Sequence, residues 1–300
     1  MTSTAKPPLH MGQLITAALS RVWHFKLELL LLWAGFLLTA LIFVPFLRDF
    51  EAEFVGALRR GAGVQQIPVD TSVILRLLSV LLLLALLRSA LTVLWLRLLR
   101  LGTVEAFQGG IKALAVRTFG LFVRCLALLA MFIGILLILR VVLNVVLSAF
   151  LSPGTTVTIP QSGALLALLL IAVIFGAFTV RISFALVAPV FDVTVPVEKA
   201  WALTEGNSFR ILMAIIAVCF PIEFIATIIQ SAIVRIGPAS AQAVDAVAVT
   251  MNNSTGTLLA SAGIGSITNC LEVAVAAAIL IEAFDRLGGW GRGQFVSEVV

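Results

Sequence analysis

Three ionisable residues, Arg88, Glu223 and Glu272, stand near the middle of long apolar runs. A charge at the centre of a bilayer costs at least about 2.5–3.5 kcal/mol on insertion scales, so each should face a protein interior and have a partner. A pair between Arg88 and Glu223 or Glu272 would cancel much of that cost. Alternatively, the three line a polar cavity for a headgroup, an ion or a proton. Asn269 lies about one helical turn from Glu272 and joins the same candidate cluster. Pro221, just before Glu223, frees a backbone carbonyl and bends its helix there. Arg76, Arg124, Arg140 and Arg181 lie nearer the ends of their runs and read as snorkelling side chains.

Other chemistries lack their residues. The only histidines are His10 and His24, both ahead of the first apolar run, which excludes a bis-His haem within the membrane and any HExxH zinc site. No GxSxG elbow, Walker loop or aspartate-rich metal motif occurs. Cys125, Cys219 and Cys270 fall inside apolar runs without a CxxC pair and read as small packing residues. SAGIGS at 261–266 offers small residues for close helix packing, and no strand or Lys-Ser/Thr pair accompanies it as a phosphate loop would need. No catalytic residue, metal or cofactor is implied. No connection exceeds about 25 residues, too short to hide a soluble catalytic domain.

The elements that must position these residues are membrane spans. The chain of 300 residues is 61% hydrophobic and 12% charged, too apolar to cover itself with polar surface in water. A span needs about 20 mainly apolar residues. Six segments qualify, at 27–47, 73–96, 119–143, 164–187, 211–234 and 258–283. The first is read as a span and not a cleaved leader, because no small-residue cleavage site follows it. The fold class is therefore all-α integral membrane, a six-helix transmembrane bundle forming a single membrane domain over 1–300.

Residues 48–71, 152–162 and 236–256 carry Pro, Gly, Asn, Ser and Thr and read as loops. Segments 11–24, 102–116 and 196–208 carry apolar stripes at helical spacing and read as interfacial amphipathic helices. Each precedes two spans, which suggests three parallel repeats at 11–101, 102–195 and 196–284, with a tail over 285–300.

Eleven Lys and Arg flank the spans on the side of the N-terminus, against four in the loops on the other side. The positive-inside rule then puts both termini in the cytoplasm of a bacterial inner membrane. Trp23, Trp95 and Trp201 fall at that face, as interfacial anchors would. The net charge of +5 is explained by topology and anionic lipid, and no basic tract interleaved with aromatics points to nucleic acid.

Residues 199–212 read KAWALTEGNSFRIL. This resembles the signature of the bacterial membrane-domain family named after glycerophosphodiester phosphodiesterases, and of related six-span proteins. Ala200, Trp201, Leu203, Thr204, Gly206, Phe209, Arg210, Ile211 and Leu212 carry the resemblance. Glu205 stands where a basic residue is usual. The catalytic barrel of fused family members has no counterpart here, so the resemblance implies a membrane module, one that handles lipids or lipid-derived substrates.

The sequence thus points to a non-enzymatic inner-membrane protein that binds or moves a lipid or small amphiphile. An accessory subunit packed against a membrane enzyme or transporter, or a homo-oligomer, is the alternative, motivated by the small-residue face of the last span. An intramembrane lipid-modifying enzyme comes third, for want of a nucleophile and base.

Overall fold

The computed structural model describes residues 8–59, 71–150, 161–236 and 255–288. All regular structure among them is helical, and six helices are long and apolar enough to cross a membrane. The helices are α1 (Met11–His24), α2 (Lys26–Arg59), α3 (Thr71–Leu101), α4 (Gly110–Phe150), α5 (Gln161–Val187), α6 (Val197–Thr204), α7 (Ser208–Ile236) and α8 (Thr255–Gly288). The protein is an all-α, multi-pass membrane protein.

The last span is the centre of the bundle. Half of its apolar window is buried inside the protein, against 6% for α3 and α4, and it packs against α7, α2, α1 and α3. Its richness in Ala and Gly follows from that position. Ala274, Ala278 and Ala283 are fully buried, and such small side chains let neighbouring backbones approach closely. A helix surrounded by protein has less need of lipid-facing Leu and Phe, so α8 has the lowest mean hydropathy of the six. Elsewhere single glycines permit close approach. A Cβ on Gly35 of α2 would lie 2.7 Å from the Leu91 side chain of α3.

Helix α1 forms over the expected residues. It buries Leu14, Ala18 and Val22 against α7 and α8 and leaves Met11, Leu19 and Trp23 exposed. The expected helix over 102–116 does not form as one unit. A 3₁₀ turn occupies Glu105–Phe107, and α4 begins at Gly110 and runs on as the next span. Gly102, Gly109 and Gly110 have positive φ, a conformation that ends one helix and starts another at little steric cost. The apolar stripe Val104, Phe107 and Ile111 is real but stands exposed on this turn. Residues 48–59, expected as loop, continue α2, because a run of Asp, Phe, Glu, Ala and Leu forms helix readily once nucleated by the span. The loops expected around 152–162 and 236–256 fall mostly outside the described residues. Trp95 is not an interfacial anchor. It is 2% exposed and donates its indole N–H to the Ala274 carbonyl of α8 at 3.2 Å.

Candidate functional site

Charged groups segregate by depth. Near the end of the bundle that carries α1, several arginines have partners drawn from a distant part of the chain. Arg21 of α1 reaches Glu282 at 2.9 Å and Asp285 at 3.3 Å, both on α8. Arg100 of α3 reaches Asp285 at 3.5 Å and lies over the rings of Phe191 and Phe284. Arg286 meets Glu282 one turn back at 2.9 Å.

Arg97 is the most deeply placed of these, at 2% exposure. Its Nε donates to the Ala106 carbonyl at 2.8 Å, and its Nη1 donates to the Val190 carbonyl at 2.7 Å. Its Nη2 donates to the Glu105 carbonyl at 3.2 Å. One guanidinium thereby ties the end of α3 to both the turn before α4 and the turn after α5. Asp192 sits 3.4 Å from Nη1 and makes a tighter two-point pair with Arg117 of α4, at 2.9 and 2.7 Å. Asp192 has φ +62°, a left-handed conformation that Asp tolerates through local hydrogen bonding, and its N–H caps the Ala188–Phe191 turn.

The residues of the 199–212 motif build a joint at the same end. Ala200, Thr204 and Ile211 are fully buried. Gly206, at φ +74°, breaks α6 from α7. Asn207, 2% exposed, accepts the Leu9 N–H on Oδ1 at 3.0 Å, and Arg210 donates to the Leu9 carbonyl at 3.3 Å. The motif thus grips the segment ahead of α1. Trp201 carries the Arg181 guanidinium over its ring at 4.4 Å, and Arg181 donates to the Ser208 hydroxyl at 3.3 Å. Arg181 is held at this joint by specific partners and does not merely snorkel. The one small pocket here, lined by Arg100, Phe184, Ala188, Phe191, Ile281 and Phe284, holds only about 10 Å³ of water-accessible space, too little for a ligand.

The mid-span charges behave differently. Among the described residues no ion pair or hydrogen bond engages the side chain of Arg88, Glu223 or Glu272. The expected Arg88–glutamate pair is not made. Glu223 and Glu272 lie on α7 and α8, two helices that pack against each other. Glu223 is exposed on α7 and Glu272 half-buried on α8. Asn269 shares this seam's helix but spends its amide on the Gly265 carbonyl at 2.6 Å. Arg88 lies apart, on α3.

Sequence reasoning overlooked Arg97, Asp192, Asn207 and Asp285 as partners. Arg97 and Arg117 entered only a charge count, yet their contacts reach 93 and 75 residues along the chain. No family model, curated protein or solved structure matches the chain.

Proposed function

We propose that this multi-pass membrane protein is non-enzymatic and binds or moves a lipid or small amphiphile through its mid-span polar groups. One observation carries the reading: Arg21, Arg97, Arg100 and Arg117 at the α1 end have carboxylate partners within the chain, whereas Arg88, Glu223 and Glu272 at mid-depth pair with nothing among the described residues. An unmatched charge inside a membrane is expensive, and a ligand that brings the matching group offsets that expense. The two glutamates suit an amine or other cationic group, with Glu223 open on the side that acyl chains would approach. The likeness of residues 199–212 to a lipid-associated membrane-domain family supports the same class. The excess of Lys and Arg at the α1 end supports a bacterial inner membrane with both termini cytoplasmic.

Native mass spectrometry of the protein extracted in mild detergent tests the reading. A stoichiometric bound amphiphile is expected, with its occupancy lowered in the Glu223→Gln and Glu272→Gln variants. Unchanged occupancy in both variants removes the glutamates from the site. A second polypeptide retained in fixed ratio, with no amphiphile, favours an accessory subunit instead. Turnover of a phospholipid, lost on either substitution, makes the protein an enzyme.

A further inference from the structure

Buried polar atoms left without a hydrogen bond are rare, and each calls for a partner. Three occur among the described residues: Trp33 Nε1 on α2, Arg88 Nε on α3 and Thr118 Oγ1 on α4. Their chemistry is one-sided. The indole N–H and the guanidinium N–H can only donate, and the hydroxyl donates as well as accepts. No buried side-chain oxygen that can only accept is left over to match them.

Two of the three lie on α2 and α3, which pack against each other where Gly35 meets Leu91. Arg88 is three residues from Leu91, within one turn and on the same side of α3, whereas Trp33, two residues from Gly35, points to another side of α2. Arg88 falls on the stripe of half-buried positions Leu77, Val80, Leu84 and Arg88, the inward face of α3. It is also the central residue of the Leu75–Leu101 apolar window. About 20 Å of helix lies on either side of it, further than an arginine can snorkel to reach a lipid headgroup at either surface. A guanidinium does not shed its proton in a protein, so neutralisation is closed to it. What it lacks is an anion, delivered at mid-depth.

We infer that the α2–α3 seam binds the oxyanion of an acidic amphiphile, with Arg88 as its counter-charge. This rests on the reading of the protein as an amphiphile binder, and it separates an anion-binding pole on α3 from the carboxylate pole between α7 and α8. The planar fork of arginine fits phosphate and carboxylate alike, so a phospholipid and a fatty acid are the two sources of this chemistry. The amphiphile's tail supplies the apolar contact that lets a charged head enter the bundle.

The experiment uses the full chain in a non-ionic detergent, titrated with phosphatidylglycerol, oleate and diacylglycerol and read by native mass spectrometry. At least one acidic probe is expected to bind about tenfold or more tightly than diacylglycerol, the gain of a charge-assisted hydrogen bond. The stronger of the two names the headgroup as phosphate or carboxylate, and inorganic phosphate alone tests whether the tail is needed. Arg88→Gln should weaken the acidic probe about ten- to hundredfold and leave diacylglycerol unchanged. Equal binding of acidic and neutral probes, or acidic binding indifferent to Arg88→Gln, overturns the oxyanion site while leaving amphiphile binding intact. Absence of any bound amphiphile overturns both. A co-purifying subunit whose release from Arg88→Gln, but not from wild type, accompanies the change overturns it in favour of a protein carboxylate. Where Arg88→Gln fails to fold, the wild type's preference for acidic over neutral probes decides.

Discussion

Replacing Arg97 with methionine should destabilise the protein by about 3–5 kcal/mol, the range for breaking a buried charged network. The structure says which bonds supply that figure. Arg97 donates to two carbonyls at 2.7 and 2.8 Å and a third at 3.2 Å, while its carboxylate partner stands at 3.4 Å and is 58% exposed. The Ala106 and Val190 carbonyls lie at turns and lose the Arg97 donor, whereas the Glu105 carbonyl still accepts the Gln108 N–H at 3.1 Å. Each acceptor so orphaned costs about 1–3 kcal/mol, reduced where water can enter. The ion pair with Asp192 is a lesser effect, because an exposed partner is screened and contributes about 0–1 kcal/mol. Asp192→Asn should therefore cost less than about 1 kcal/mol. Reversible unfolding by SDS titration in mixed micelles, followed by circular dichroism, measures both. An Arg97→Met loss below about 1 kcal/mol, or an Asp192→Asn loss as large as that of Arg97→Met, refutes the assignment of the stability to the carbonyl clamp.

Two further predictions concern the joint between α6 and α7. Gly206→Ala places a Cβ on a residue at φ +74°, and the same unfolding titration should register a loss of about 1–2 kcal/mol. An Ala that costs nothing would mean the break between these helices relaxes without strain. Asn207→Ala removes the acceptor of the Leu9 N–H, so amide exchange at Leu9 should rise about fivefold or more relative to the core of α8. Unchanged exchange would show that packing of Leu9, and not the side-chain clamp, holds this segment.

The spans were legible because a bilayer imposes one length on every apolar run. The α1 stripe was legible because one of its faces meets α7 and α8. What failed was anything that needed a third dimension. The stripe at 102–116 has helical spacing, yet Gly109 and Gly110 with positive φ break it, and glycine spacing alone does not reveal φ. Trp95 reads as an anchor by position but is recruited into the core by the Ala274 carbonyl. Arg88, Glu223 and Glu272 stand out as charges within spans, but opposite charges on different helices need not share a face, and Arg88 does not meet the glutamates. Arg97 and Asp192 were passed over for the opposite reason. Cations at span ends are ordinary in membrane proteins, and nothing in the local pattern distinguishes a buried clamp from a topological marker. The 199–212 motif was visible, whereas its use as a grip on Leu9, 198 residues away from Asn207, was not.

That the central helix of the bundle follows five other spans in the chain has a consequence for how the protein is assembled. A ribosome delivers α2, α3, α4, α5 and α7 to the membrane before the helix that four of its neighbours pack against exists. Until then those spans lack the contacts that α8 supplies, and Arg21 waits through the synthesis of 264 residues for Asp285. A chain interrupted before residue 255 lacks the helix that α7, α2, α1 and α3 pack against.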